Sequence, residues 1–405
     1  MLMRYNNFHK HDHKGNHRSI DTITKEEHYI ARCLELGHTN YFTTNHGSKG
    51  DVFTSKTLCD KNGLKMIVGA EFYYVDDISI KERRMYHLIV IAKNNDGYRQ
   101  LNSALSYANK YGMYYKPRID KKILYKFNPK DVIITTACTA GILNRDDREE
   151  VLIELKEHFG DSLFLEIQSH VHISQKKYNQ MILEMHRKYN VPLIHANDSH
   201  YIYEEDGKYR DKFLKGKGIE YPEESGYVLD YPDYDTILKR YSEQGVISEE
   251  DVKKAIKNTL IFDECEEITI INDNIKLPSI SNNPKMDLKR IIVENWEKEK
   301  TKIDASLHKK YEEEIKYEYD MIDKCNMDDY FLLDYYIVKR GIEKYGGKLT
   351  KTGRGSGVSY YINKLLGLTD IDRISAPVTL YPTRFMSAER ILKARSLPDK
   401  TYLSL

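Results

Sequence analysis

At 405 residues, with 40% hydrophobic and 31% charged residues, the chain is long enough for two or three domains and carries enough apolar material for real cores. A formal net charge of +1 leaves no global electrostatic footprint for nucleic acid, so any such binding has to come from a local patch. The longest apolar runs, such as 88–92, are too short to span a bilayer, and the polar, His-rich N-terminus holds no apolar signal-peptide core, so no membrane partner and a cytoplasmic location are expected. Cys33, Cys59, Cys138, Cys265 and Cys325 lie far apart with no CxxC pair, which predicts reduced thiols and neither a disulfide framework nor a zinc ribbon.

From about residue 19 to 200 helix and strand patterns alternate. Thr24 and Glu27 form a capping-box pattern that opens a helix with Ile30, Cys33 and Leu34 on one face, and Gly37 is placed to end it. A strand is predicted over 40–44, a helical stretch up to Gly63, a strand over 65–68 and another over 87–92. Further strands are predicted over 132–136, 163–167 and 191–195, with helices over 149–158 and 175–189 between them. Such succession favours a parallel sheet, open or closed into a barrel. Ser248 and Asp251 then mark a late helix start, and 272–286, with two prolines and several Asn and Ser residues, reads as a linker. A charged helical stretch over 287–325 leads to the apolar 330–333. A block follows in which Lys339, Arg340, Lys344, Lys348, Lys351, Arg354 and Lys364 face one acid, Glu343; a solvated helix face would look similar. No internal repeat of fixed period is present.

His9, His11 and His13 alternate near the N-terminus, with His17 four residues on; alternation on an extended segment points two imidazoles to one side, a geometry suited to a metal. An expression tag or a disordered polar tail would read the same way. His46 directly follows the strand at 40–44, Glu71 lies just past 65–68, Cys138 follows 132–136, and Asp198 and His200 follow 191–195. Metal-capable side chains recurring where strands run out is the arrangement of a barrel active site. Each of these residues alone has an ordinary core or surface explanation. His87 departs from the pattern, because it opens its strand.

Seven short motifs carry a resemblance: His9-x-His11; Asn45-His46-Gly47; 69–73 (Gly-Ala-Glu-Phe-Tyr); 87–93 (His-Leu-Ile-Val-Ile-Ala-Lys); 114–120 (Tyr-Tyr-Lys-Pro-Arg-Ile-Asp); 136–141 (Thr-Ala-Cys-Thr-Ala-Gly); and 197–201 (Asn-Asp-Ser-His-Tyr). In order and spacing, across about 200 residues, they resemble the PHP motifs of bacterial and phage DNA polymerase III alpha subunits, the C-family replicative polymerases. The resemblance implies an α/β fold: a distorted (βα)7 PHP barrel over 1–271, a linker over 272–286, and an incomplete α+β, nucleotidyltransferase-like polymerase palm over 287–405. It implies metal-ligand roles for His9, His11, His46, Glu71, His87, Cys138, Asp198 and His200, with Asp21 favoured over His17 as the remaining first-motif ligand. Zn or Mn would occupy the barrel, which would then act as a 3′-5′ exonuclease. One departure is Asn45, where the family carries an aspartate.

In the second block Gly353-Arg354-Gly355-Ser356 could let backbone N–H groups, a guanidinium and a hydroxyl approach phosphate, although as a bare tetrapeptide it reads equally as a glycine turn. It resembles the family's palm motif, as do 330–333, 381–386 and 396–399, and implies that Arg354, Gly355 and Ser356 contact the triphosphate of an incoming nucleotide. Ser359-Tyr360 stands where many members have a second Gly-Ser. After Pro398-Asp399, where the family runs on into the paired aspartates that hold catalytic Mg, this sequence reads Lys400 to Leu405. The expectation is therefore an N-terminal fragment, interrupted before the aspartate pair by an intron or similar element, that cannot polymerise DNA alone. The intact enzyme would use DNA primer-template, deoxynucleotides and replisome proteins such as a sliding clamp. Abundant Lys, Tyr, Ile and Asn hint at an A/T-rich genome and a phage source, with host cytoplasm as the location. A free-standing phosphatase of the histidinol-phosphate type and a non-catalytic replisome scaffold are the alternatives; the palm-like motifs after residue 311 argue against the former, and metal content would test the latter.

Overall fold

The alternation of β-branched runs and capped helices builds one mixed sheet flanked by helices, seen in a computed structural model that describes residues 4–270, 278–348, 355–393 and 397–398. The chain divides into two compact units, Met1–Ile271 and Asn272–Leu405.

The first unit is mixed α/β. Its strands are β1 (Asn40–Thr43), β2 (Lys65–Tyr74), β3 (Tyr86–Ala92), β4 (Met113–Tyr114), β5 (Lys116–Ile119), β6 (Val132–Thr135), β7 (Leu163–Gln168) and β8 (Leu193–Ala196). They run in the order β4-β5-β2-β3-β6-β7-β8, with β1 pairing β2. The helices are α1 (Glu26–Glu35), α2 (Val52–Asn62), α3 (Asn95–Tyr111), α4 (Lys121–Leu124), α5 (Arg148–Phe159), α6 (Ile173–Tyr189), α7 (Gly207–Gly216), α8 (Tyr234–Gln244) and α9 (Glu249–Asn258).

The sheet is not all-parallel. β3 pairs antiparallel with both β2 and β6, whereas β1–β2, β2–β5, β6–β7 and β7–β8 are parallel. The reason is the connection: 75–85 holds no helix and is too short for the crossover that a parallel pair needs. β2 also runs on to Tyr74, so Glu71 lies inside the strand rather than just beyond it. The capping box at Thr24 does not form. α1 starts at Glu26 with Lys25 as an N-cap that offers no side-chain bond, while the Thr22 and Thr24 hydroxyls both donate to the His200 carbonyl.

Period-two alternation sorts the strand residues onto two buried faces. Val68, Ala70, Leu88, Val90, Ile134 and Leu165 pack outward in the large core with helical Leu101, Leu152 and Ile182. Ile67, Ile89, Ile91, Ile133, Phe164 and Ile194 face inward and enclose Phe8, Phe42 and Phe262 in a second apolar cluster. A sheet with such an inner plug is curled. The segment around Lys10 reinforces the curl, since His11 N donates to Ser199 O and Ser199 N to His9 O, while Lys10 N donates to the Thr44 hydroxyl just past β1.

In the second unit, α10 (Pro284–Lys300), α11 (His308–Lys324), α12 (Asp328–Tyr345) and the short α13 (Tyr361–Leu365) pack around Trp296, Tyr311, Phe331, Tyr360, Tyr361 and Phe385. α10 begins inside the predicted linker, because Asn283 caps it and Pro284 suits its first turn. The charged stretch over 287–325 is two helices, separated where the Asp304 carboxylate turns back to Ser306 N. Among its described residues this unit is helical and contains no strand, where an α+β palm is expected.

Candidate metal centre

On the inner face of the sheet, the residues beyond the apolar plug become polar. β2 continues from Ile67 through Gly69 to Glu71 and Tyr73; β7 continues from Phe164 to Glu166; and the chain leaving β8 reaches Asp198. β3 explains the position of His87. Because it runs antiparallel, with His87 opposite Tyr73, its first residues lie at the end where the parallel strands finish. The geometric objection to His87 therefore disappears.

Glu71, fully buried, is the hub. Its Oε1 lies 2.9 Å from His87 Nδ1 and 3.4 Å from His9 Nε2, and its Oε2 lies 2.5 Å from His46 Nδ1 and 3.4 Å from His11 Nε2. Asp198 Oδ1 is 3.1 Å from His9 Nε2, 3.0 Å from His11 Nε2 and 3.8 Å from His200 Nδ1. Asp21 Oδ2 is 3.3 Å from His46 Nε2 and 3.9 Å from His200 Nε2. Cys138 Sγ lies 3.7 Å from His87 Nδ1. All nine side chains thus meet in one place, whereas His17 is exposed and bonds the Lys14 carbonyl. The asparagine at position 45 turns away from the cluster and makes a two-bond pair with Asp12, donating to its carboxylate and accepting from its backbone N–H.

Backbone geometry aims these groups. Asp198 (φ 50°) and Ala137 (φ 59°), the residue before Cys138, both occupy the left-handed region, which costs a non-glycine residue about 1–3 kcal/mol and persists where the surroundings over-determine it. Gly47 (φ 53°) follows His46, and a Cβ there would meet Pro117 Cγ at 2.8 Å. The loop bearing Cys138 is tied to the start of β3 by His87 N to Ala140 O (2.9 Å) and Ile142 N to His87 O (2.8 Å).

Electrostatics follow from crowding. Burial pushes the Glu71 carboxyl up, but His87, His46 and His9 outweigh it and hold it well below the usual range. Asp198 is held low against burial by His9 and His11, and Asp21 is brought down to about 2, against burial, by the bond from His46 and the nearby His200. Burial, and then Arg210, takes His200 down to about 3, so its imidazole is neutral at pH 7. Burial, then Asp198 and Glu71, pushes the Cys138 thiol well up.

His9 Nε2, His11 Nδ1 and Nε2, His46 Nδ1, both Glu71 oxygens and Asp198 Oδ1 are buried and make no hydrogen bond, despite their short separations. Buried polar atoms are normally paired, and orphans cost about 1–3 kcal/mol each. Donors crowded head-on around shared carboxylates fit divalent cations, for which imidazole, carboxylate and thiolate are the usual ligands. Among the described residues, three groupings have ligand atoms close enough to hold one: His11–His46–His200, His9–His11–Glu71 and His46–Glu71–His87.

One further residue belongs to the site without a sequence signal strong enough to single it out. Glu166, buried in β7, has Oε1 2.7 Å from His9 Nδ1 and is itself held by Thr135 and Gln168. This carboxylate fixes the His9 ring so that Nε2 faces the cluster, the usual arrangement behind a metal-bound histidine. The one clue was an acid inside the apolar run 163–167. In the second unit, Gly355 and Ser356 open a short 3-10 turn at φ 78°, with Ser356 half-buried; Arg354 lies outside the described residues.

Residues 9–170 match the PHP domain family, and residues 288–399 match the bacterial DNA polymerase III alpha NTPase domain. The first unit thus contains a PHP domain, a class whose members generally bind divalent metals, and the chain pairs it with a polymerase segment. DNA polymerase III subunit alpha of Borreliella burgdorferi is 27% identical over 98% of this chain, that of Treponema pallidum 28% over 98%, and that of Aquifex aeolicus 27% over 94%. The chain is thus similar to DNA polymerase III alpha subunits along nearly its whole length and spans about 35% of the length of these relatives. No described helix is long and apolar enough to cross a membrane.

Proposed function

We propose that the first unit, 1–271, is a metal-dependent phosphoesterase that trims the 3′ end of DNA, within a chain that serves DNA-directed DNA polymerisation during replication. In this reading the sheet is a distorted (βα)7 barrel, closed along the seam at residues 8–11, and His9, His11, Asp21, His46, Glu71, His87, Cys138, Asp198 and His200 are the ligands. The observation that carries it is the single Glu71 carboxylate shared by four imidazoles, none of which hydrogen-bonds to it. Zn or Mn bound there would supply Lewis acidity to a phosphoryl group and to an attacking water. The protein's own residues orient the donors: Glu166 directs His9, and His200 Nδ1–H donates to the Asp198 carbonyl so that Nε2 faces the cluster.

The second unit, 287–405 after a linker at 272–286, is read as part of a nucleotidyltransferase-like palm in which Arg354, Gly355 and Ser356 contact the triphosphate of a deoxynucleotide. The intact protein would use primer-template, Mg and a sliding clamp in the cytoplasm. The test is metal content of the purified chain, with nuclease assays on single-stranded DNA plus and minus Mn²⁺ or Zn²⁺. Bound metal and Mn-dependent release of nucleotides that Glu71→Gln lowers by at least about 100-fold are expected, a larger loss than disturbing an outer partner causes. Full activity in Glu71→Gln would end the reading.

A further inference from the structure

The motif at 114–120 contributes no ligand to the metal centre, yet it builds the neighbouring surface. Tyr115, at the tip of the β4–β5 hairpin, combines a left-handed backbone (φ 58°) with a side chain that is 63% exposed. That conformation is strained for a bulky residue, and Gly or Asn would adopt it more readily. The Arg83 guanidinium lies 4.0 Å from the Tyr115 ring centre and also donates to its hydroxyl, and the Tyr114 ring packs edge-on at 4.9 Å.

Arg83 reaches Tyr115 because the loop at 76–85 is clamped. Arg118, 2% exposed, donates to the carbonyls of Ile78 (2.8 Å), Ile80 (2.7 Å) and Glu82 (3.3 Å) from the loop, and to Gly112 (3.0 Å) at the base of the hairpin. None of these acceptors is a carboxylate, so a full positive charge is committed to holding two loops together. Among the described residues Lys81, Arg83 and Arg84 are exposed and form no ion pair. The hairpin adjoins the metal centre: the Lys116 ammonium lies 5.6 Å from the Tyr73 ring centre, and that ring stacks 5.7 Å from His46.

We propose that Tyr115, backed by Arg83, is a stacking platform that receives a base of single-stranded DNA at the mouth of the metal centre, with Lys81 and Arg84 meeting its phosphates and Arg118 as the positioning residue. An exposed ring backed by a guanidinium, beside a loop that also carries the exposed Lys81 and Arg84, matches the chemistry of a single strand, in which every base offers a π-face and every linkage an anion. The assignment rests on the phosphoesterase reading for its substrate class, but its test does not depend on turnover.

The experiment is fluorescence anisotropy of the full chain with a labelled oligothymidylate in excess chelator. The Tyr115→Asn variant removes the ring while suiting the backbone, so its melting temperature should not fall, and its affinity should drop roughly tenfold. Arg83→Ala, on the other loop, should weaken binding by a similar factor, while Tyr115→Trp should retain it. Unchanged affinity in both Tyr115→Asn and Arg83→Ala, or no binding by the unaltered chain, overturns the platform. Oligonucleotide binding that depends on Tyr115, with no nucleotide release once Mn²⁺ is restored, leaves the platform standing and removes the phosphoesterase reading.

Discussion

Each unit buries a charged cluster, and the two are built on opposite terms. Around Glu71, seven buried atoms approach one another without hydrogen-bonding. Around Glu318 in α11, the bonding is complete: its carboxylate accepts from Tyr361 N and Ile362 N at 2.8 Å each and from Arg373 Nε at 2.5 Å, and Arg373 continues to Glu314. A satisfied buried carboxylate joins α11, the start of α13 and the segment bearing Arg373, and so does structural work. An unsatisfied one that nevertheless stays in place indicates chemistry brought from outside the chain.

The strongest way to break this contrast is Glu318→Ala. It leaves Arg373 with a single partner and two amides without acceptors, so the second unit should lose about 3–5 kcal/mol in urea unfolding. A loss below 1 kcal/mol would place Glu318 among the dispensable charges. Metal removal should act on the other unit. With a cation at 100 times its Kd, chelation should cost about 2.7 kcal/mol, read as faster amide exchange in β2 and β7 with α11 unaffected. Glu166→Gln sharpens the distinction, because it spares every proposed ligand: metal affinity should fall about 10- to 100-fold in a competition titration with a chromophoric chelator.

Asn45→Asp should give a smaller effect of the opposite kind. Family resemblance treats position 45 as a lost carboxylate, but the side chain donates to Asp12. A second carboxylate facing Asp12 should lower stability by about 1–3 kcal/mol, without added metal bound. His17→Ala should change neither metal content nor melting temperature. A fall in bound metal would instead return His17 to the ligand set.

Much of the site was legible because its residues are chemically conspicuous and sit at strand ends: His46, Cys138, Asp198 and His200 could be read from local pattern. His87 could not, since the direction of β3 depends on a loop too short for a crossover, which periodicity does not register. Glu166 was hidden inside a run that looks like a core strand, and its role exists only where β7 lies beside residue 9. Thr24 shows the reverse error: a hydroxyl suited to capping a helix is used instead on the His200 backbone, a tertiary bond with no local signature. In the second unit the basic block gave charge but no placement for Arg354, and the aromatic core that joins Trp296 to Tyr311 and Tyr361 comes from helices whose pairing the sequence pattern leaves open.

The seam at residues 9–11 sets a timetable. Its backbone partner is Ser199, nearly two hundred positions downstream, so during synthesis the first two histidines wait for most of the unit to leave the ribosome before they can be fixed. Until then no intermediate offers the whole donor set. Capture of a cation there would be a late step, rewarding only those nascent chains in which residues 9–11 have already docked on Ser199.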